Sequence, residues 1–591
     1  MKNSKPYARY YRQIFFHLKK EKWLFFAGLF ALLLTSASQL FPPLIIAHII
    51  DKSIPQKDLG DLLRYGFGFI GVILISGLLS FAQTNLLARL GVKVITDFKR
   101  KVFSHLLKTP VSYFNTHSVG ELIARVESDS ESVRALFSST SVAIIGNLLF
   151  FSGVYIVLLM KNSQITLILT PPIILIALSF FFLAKKMTIL FQRLRQVIAE
   201  ISSKTTDYLQ GMQLIQVMNK QDKVYQNLYD VSRQKQLTDT RTFFTTYGVF
   251  LLFQFIFSVV FIIIIIRLSA PGIISGKSSI GTLFVFIQYI SRLIGPMIGM
   301  AISIVGIQRS FVSLGRIMEL GDLETEEDLH NGDKEPCFEH EIRFENVWFA
   351  YQGSDWVLKD VSFCIPKGGK IGLVGPSGSG KTTVVNLLCC FYQPQKGCIY
   401  VDGVPLNELS LFAWRRQIGL ILQEVFLFPG NITENVRVYN DAVSPQQIKS
   451  ALDLVQLGSF INDLPMGMDT ELAERGQNIS QGEKQLISFA RALAFSPSLI
   501  VMDEATASID ISTEARIQQA MKALLRDKTS VIVAHRLSSI LDADEILFFK
   551  KGRITHRGNH AQLLESCPDY QHLVQLQSSH ADTTRGAEEA I

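Results

Sequence analysis

Six long apolar runs in the first half of the chain restrict its fold more than any other feature. They lie at about 23–49, 65–88, 135–160, 165–184, 246–266 and 280–304. Each is near the roughly 20 residues that a helix needs to cross the hydrocarbon of a bilayer. A buried core helix accounts for one such run, not for six. Composition points the same way, because 48% of the 591 residues are apolar, only 18% are charged, and Phe alone occurs 42 times. Charge and motif chemistry gather in the second half, so the sequence reads as a membrane half joined to a soluble half. The first run is too long for a secretory signal and lacks a small-residue cleavage site.

Lysine and arginine bias orients the spans. Long basic connections follow the second span (Lys93, Lys99, Arg100, Lys101, Lys108) and the fourth (Lys185, Lys186, Arg193, Arg195). The alternate connections are short and carry only Lys52, Lys57, Lys161, Arg267 and Lys277. This places the N-terminus, the long loops and the second half on the cytoplasmic side of a cytoplasmic (inner) membrane. Residues 1–22 are basic and aromatic, which suits an amphipathic helix at the membrane surface or, alternatively, a basic tail. Lys161-Asn162-Ser163-Gln164 predicts a tight hairpin between the third and fourth spans. The long loops keep helical patterning and are expected to turn near Phe114–Leu122 and Tyr208–Met212, where a soluble domain would touch them. Within the spans, Gln83, Asn85, Gln254, Gln288 and Arg292 face either a cavity or another helix. The series Phe250, Phe253, Phe255, Phe257, Phe284, Phe286 and Tyr289 suits lipid contact, helix packing or the lining of a cavity for greasy cargo.

The second half holds Gly375-Pro376-Ser377-Gly378-Ser379-Gly380-Lys381-Thr382-Thr383. An apolar strand, Lys370–Val374, precedes it, and a helical segment from Val384 follows. Strand, glycine-rich turn, Gly-Lys-Thr and helix are the parts of a phosphate-binding loop. Glycines let backbone N–H groups wrap the phosphates, and the helix start adds the positive end of a dipole. Lys381 would reach the outer phosphates, and the Thr382 hydroxyl would face Mg²⁺. Leu499-Ile500-Val501-Met502-Asp503-Glu504 predicts a buried strand ending in two carboxylates, expected beside the loop strand. There Asp503 would hold the metal, and Glu504 would orient or deprotonate the attacking water. His535 follows a further apolar strand, Ser530–Ala534, at the same sheet edge. Tyr351, in the strand-rich stretch from Ile342, is either core or a ring for stacking on adenine.

All six cysteines lie in this half without zinc-ligand spacing, and Cys389-Cys390 are adjacent. Free thiols in a reducing compartment are expected. The net charge of +7 is modest, and no nucleic-acid partner is expected.

From about residue 10 to about residue 570 the sequence resembles an ABC exporter half-transporter, most closely the bacterial multidrug-resistance-like MdlB group. The resemblance implies a multi-domain fold, an all-α six-helix transmembrane domain followed by an α/β P-loop ATP-binding cassette. Its expected divisions are 1–22 interfacial, 23–316 transmembrane, 317–340 an acidic linker, 341–575 cassette and 576–591 a flexible tail. It also implies ATP and Mg²⁺ as cofactors and ATP hydrolysis coupled to the export of hydrophobic or amphipathic cargo. That cargo would be drug-like or lipid-like, with membrane lipid as a further partner. Flipping of a lipid or cell-envelope precursor is the alternative, as is ATP gating without net pumping. No peptidase domain is expected before the first span. By the same resemblance Tyr351 becomes the adenine-stacking ring. Gln423 reaches Mg²⁺ and the attacking water, and Glu474-Arg475-Gly476 contacts the membrane loops. Asp510 contacts the other cassette, His535 meets the γ-phosphate, and the turns near Phe114–Leu122 and Tyr208–Met212 are the coupling helices.

One stretch departs from the pattern. The family's Leu-Ser-Gly-Gly-Gln, which each cassette offers to its partner's ATP, is here Ile479-Ser480-Gln481-Gly482-Glu483. Gln481 puts a side chain where close backbone approach is wanted, and Glu483 adds negative charge near a phosphate. Ser480 and Glu483 also have capping-box spacing, and both readings are compatible at a helix start. Retained Glu504 and His535 with an altered signature predict a heterodimer, with a second, non-identical half-transporter as partner, rather than a homodimer.

Overall fold

The computed structural model describes residues 20–330, 332–503, 511–534 and 539–576. The basic stretch 1–19, Glu504, Asp510, His535 and the tail from 577 lie outside the described residues, as do the side chains of Lys185 and Lys186. The chain forms two compact units, Met1–Leu107 with His117–Leu323, and Lys108–Thr116 with Glu324–Ile591.

The first unit is helical. Backbone polar groups in hydrocarbon have no water to bond, so each spanning segment must satisfy them internally. Among the described residues, five helical runs are long and apolar enough to cross a membrane: Lys22–Ser53, Leu59–Leu106, Val119–Lys161, Gln221–Ile274 and Ile280–Gly321. A further helix, Ser163–Gln210, carries an apolar stretch over Ser163–Ser179 and two internal prolines, Pro171 and Pro172. The first run bends before Pro42-Pro43, which restart it as the helix Phe41–His48, because proline fixes φ and offers no N–H to the preceding turn. The hairpin expected over residues 161–164 narrows to one extended residue, Asn162, whose side chain accepts from the Ile165 N–H. The long helix breaks at Gly211, inside the turn expected at Tyr208–Met212, and the reversal is completed further on. Helix Ser163–Gln210 yields to the short helix Met212–Val217, and Asn219, at φ 52°, turns the chain into the helix from Gln221.

The sixth run continues to Gly321, past the start expected for the acidic linker. Leu314, Ile317, Met318 and Leu320 remain buried there, so an apolar face outlasts the acidic turn in composition. Arg316 joins this helix to Asp129, donating from Nε at 2.8 Å, and Ser313 donates to the same carboxylate at 2.8 Å. The ambiguous aromatics separate by face. Phe253, Phe257, Phe286 and Tyr289 are buried in the core, whereas Phe250 and Phe255 are exposed. Phe257 stacks on Phe261 at 5.1 Å, and the Tyr289 hydroxyl donates to the Leu40 carbonyl. Phe67, Leu78 and Phe81, each about 70% exposed, present the apolar outer surface that lipid requires.

The second unit is α/β. Its strands are β1 (Glu341–Phe349), β2 (Leu358–Pro366), β3 (Lys370–Val374), β4 (Lys396–Val401), β5 (Val404–Pro405), β6 (Ile418–Ile421), β7 (Gly430–Asn431), β8 (Glu471–Leu472), β9 (Leu499–Asp503), β10 (Thr529–Val533), β11 (Glu545–Lys550) and β12 (Arg553–Gly558). A four-stranded antiparallel sheet runs β2-β1-β4-β5, and a six-stranded sheet runs β12-β11-β3-β10-β9-β6. In the latter, β11, β3, β10, β9 and β6 are parallel. Strands β3 and β9 are buried along nearly their whole length, as expected where a parallel sheet is covered on both faces. One expectation is corrected here. Strand β9 does not lie beside the loop strand β3, because β10 pairs with both and separates them. Pairing order in a parallel sheet is set by crossovers that local sequence does not encode. All six cysteines are free thiols, and burial pushes the Cys389 and Cys390 thiols up to about 12.

Candidate nucleotide site

The site grows from the carboxyl edge of the six-stranded sheet. Strand β3 ends at Val374, and the chain turns through Gly375–Gly380 into the helix Lys381–Leu388. Gly375 takes φ +146°, and a Cβ there would run into the Phe549 carbonyl oxygen. Gly380, which precedes the helix, takes φ +107°, and a Cβ would lie 2.6 Å from a Leu358 methyl. Both positions therefore require glycine on conformation and on space. Pro376, Ser377 and Gly378 are exposed at the turn, while Ser379 is buried.

Lys381 lies across the loop, 5% exposed. Its Nζ donates to the carbonyls of Gly375 at 2.8 Å and Pro376 at 3.0 Å, and to Ser379 Oγ at 3.4 Å. Burial lowers its pKa from the ordinary lysine value, against the opposing attraction of Asp503. Thr382 is exposed in the first helical turn, and Thr383 is buried behind it.

The carboxyl edge brings other candidates into one row. Leu373 of β3 pairs with Val533 of β10, which pairs with Asp503 of β9. Asp503 is thus level with the root of the loop and two strand spacings away, about 10 Å, and it is buried. Strand β6 runs parallel to β9, with Ile421 opposite Met502, so Gln423 emerges from the same edge, exposed. Thr382, Gln423 and Asp503 supply hydroxyl, amide and carboxylate oxygens, the hard donors that suit Mg²⁺. Glu504 and His535, next in sequence after Asp503 and Ala534, lie outside the described residues.

Tyr351 follows β1, 44% exposed. Its hydroxyl lies 3.2 Å from Thr383 Oγ1 and accepts from Asn386 Nδ2 at 3.0 Å. Core or ligand was the open alternative for this ring. The structure leaves it half in solvent while fastening it to the loop helix. Two residues of this neighbourhood escaped the sequence reading, Asn386 on the helix and Tyr392 just beyond it. The pair Phe391-Tyr392 ahead of Pro394 was the available signal.

Ser480–Glu483 form a different helix start. Ser480 N-caps the helix Gln481–Ala494 in a full capping box. The Glu483 N–H donates to Ser480 Oγ at 3.3 Å, and the Ser480 N–H donates to Glu483 Oε2 at 2.8 Å. The Glu483 carboxylate is therefore folded onto its own backbone, whereas Gln481 is exposed. Among the described residues no hydrogen bond joins this stretch to Gly375–Thr383. Nearby, Glu474-Arg475-Gly476 make a tight turn in which Arg475 (φ 54°) and Gly476 (φ 64°) are left-handed.

Comparison with known proteins fits this geometry. Residues 25–297 match the ABC transporter transmembrane region, and residues 358–507 match the ABC transporter family. The chain is similar to a "Probable multidrug resistance ABC transporter ATP-binding/permease protein YheH" of Bacillus subtilis (32% identity, covering 86% of this chain and 76% of that protein). It is also similar to an ATP-dependent lipid A-core flippase of Sodalis glossinidius (30% identity, covering 93% and 94%). A solved bacterial Atm1-family ABC exporter with ATP bound shares the fold, with a TM-score of 0.78 at 23% identity over 93% of this chain and 98% of that one. Apolar helices, phosphate loop and relatives converge: the chain is a multi-pass membrane protein and ATPase that belongs to the ABC transporters, with a membrane region fused to an ATP-binding cassette in the fold of an ABC exporter.

Proposed function

We propose that the protein uses ATP to move hydrophobic or amphipathic compounds outward across the cytoplasmic membrane by alternating access. It would act as one half of a dimer whose other half is a non-identical half-transporter. The observation that carries this reading is the loop Gly375–Thr383, with Lys381 aimed across it and Asp503 level with its root on the same sheet edge. The divisions are 1–22 interfacial, 23–316 transmembrane, 317–340 linker, 341–575 cassette and 576–591 tail, with the last membrane helix reaching into the linker as far as Gly321, and the basic connections put the cassette in the cytoplasm.

ATP phosphates would replace the Gly375 and Pro376 carbonyls as partners of Lys381, while N–H groups at Gly378–Thr383 face the same oxygens. Thr382, Asp503 and Gln423 would hold Mg²⁺, which supplies charge neutralisation on the phosphates. Glu504 would position and deprotonate the attacking water, and His535 would hold the γ-phosphate. Asp510 and Ser480–Glu483 would face the partner's cassette. With Gln481 and Glu483 in the signature, the composite site that receives it would turn over slowly.

Cargo chemistry follows from the spanning runs of the helical unit, which are apolar apart from a few groups such as the exposed Arg292. A multidrug-type relative supports drug-like cargo, and a lipid A-core flippase relative supports a lipid or envelope precursor. The test is uptake of a fluorescent amphipathic dye and of a labelled phospholipid into inside-out vesicles containing the protein and its partner. ATP-driven accumulation that Lys381→Ala abolishes is the expected result. Accumulation that persists in Lys381→Ala would overturn the reading, and the two cargoes separate drug export from lipid flipping.

A further inference from the structure

We propose that Tyr392 is a positioning residue that ties base stacking on Tyr351 to the segment Lys108–Thr116. This rests on the reading of Tyr351 as the adenine platform. The segment connects two apolar helical runs, yet it clusters with the cassette unit. It is pinned there at both ends. At its start, the Lys108 carbonyl accepts from the Glu326 N–H at 2.8 Å, and Lys108 Nζ donates to Glu327 at 3.2 Å. Near its end, Asn115 Nδ2 donates to the Tyr392 hydroxyl at 2.8 Å.

Tyr392 carries that second pin into the nucleotide site. Its ring meets Tyr351 edge-to-face at 5.0 Å and 90°, and Phe349 at 5.5 Å. Phe349 in turn meets Tyr351 at 4.9 Å and 88°. Three rings thus form a closed edge-to-face cluster, the arrangement that aromatic quadrupoles favour. Phe349 is buried on β1 and cannot swing. Tyr351 is held at its hydroxyl by Thr383 and Asn386 of the loop helix. That leaves Tyr392 as the member joined to the segment, and a cavity of about 90 Å³ beside it, lined by Leu387, Cys390 and Pro394, gives its ring room to shift. A base stacked on Tyr351 fixes that ring's plane, the fixed plane restricts Tyr392, and Tyr392 holds Asn115. Occupation by the base, not by phosphates alone, stiffens Lys108–Thr116. By reciprocity, displacing that segment changes the affinity for adenine.

The test is hydrogen exchange of the full-length protein in lipid nanodiscs, comparing a non-hydrolysable ATP analogue with inorganic tripolyphosphate. The analogue slows exchange over Lys108–Thr116, and tripolyphosphate leaves it unchanged. Tyr392→Phe keeps the ring and removes the hydroxyl. It should hold analogue affinity within about two-fold but cut the ligand-induced protection about five-fold, the effect of one lost hydrogen bond. Asn115→Ala should do the same, and the double variant should add nothing further. Tyr392→Ala should weaken the analogue while sparing tripolyphosphate, with Tyr392→Phe restoring the affinity. Undiminished protection in Tyr392→Phe, or equal protection by tripolyphosphate, overturns the link. If Tyr351→Ala keeps full affinity for the analogue, the adenine reading itself fails, so the two failures are distinguishable.

Discussion

Two helices of the cassette begin in opposite ways. The helix Lys381–Leu388 starts from Gly380, a left-handed glycine with no side chain to cap it. The helix Gln481–Ala494 starts from Ser480 and closes its own first turn through Glu483. Every α-helix leaves its first N–H groups without intrahelical partners. At the first start those donors stay available to an anion, and Lys381 reinforces them. At the second, the Ser480 and Glu483 N–H groups are already taken by the helix's own residues, and the added charge is negative. The contrast separates a start built to grip phosphate from one built to hold itself. It gives a physical basis for expecting the second start to serve a partner's ATP poorly.

Substitutions can break or sharpen this contrast. Lys381→Ala removes the cation from the gripping start and should lower ATP turnover at least about 100-fold, the scale of losing a group that stabilises developing charge. Steady-state hydrolysis by the reconstituted pair would measure it. Gly375→Ala imposes a clash with the Phe549 carbonyl at a φ that disfavours side chains, and ATP affinity should fall about ten-fold, equivalent to about 1.4 kcal/mol. Equilibrium ATP binding decides this, and unchanged affinity would show that the loop is not held as described. Ser480→Ala should cost the self-capped helix about 1 kcal/mol, visible as a lower Tm, with ATP binding at this chain's own loop unaffected. The smallest structural effect belongs to Gln481→Gly combined with Glu483→Gln, because glutamine keeps the capping box while the charge is lost. Stability should move by less than about 1 kcal/mol, while hydrolysis by the pair rises. A pair whose turnover does not change would remove the physical case for a slow composite site.

Legibility followed the range of the interactions. The phosphate loop was readable because each residue type answers a local demand, a left-handed φ, a missing Cβ or a cation. The capping box was readable as a three-residue spacing. The reading slipped where distant segments decide. Tyr351 looked ambiguous until Thr383, Asn386 and Tyr392 were seen around it, and Tyr392 drew no notice because its partners are Asn115 and Phe349, far away in sequence. The aromatics of the fifth and sixth runs split into core and surface only when the helices packed. The acidic residues after Arg316 masked a helix whose buried face runs on to Leu320.

What the sequence by itself determined is the bilayer-length apolar runs and the phosphate loop. Helix length in hydrocarbon and the needs of a backbone that wraps phosphate are both local constraints. Only the tertiary structure decided that β10 separates β3 from β9, that Glu483 folds onto Ser480, and that Asn115 reaches the ring beside Tyr351. Sheet order, the choice among competing hydrogen-bond partners and contacts across hundreds of residues depend on which surfaces meet, and no local pattern of side chains encodes that meeting.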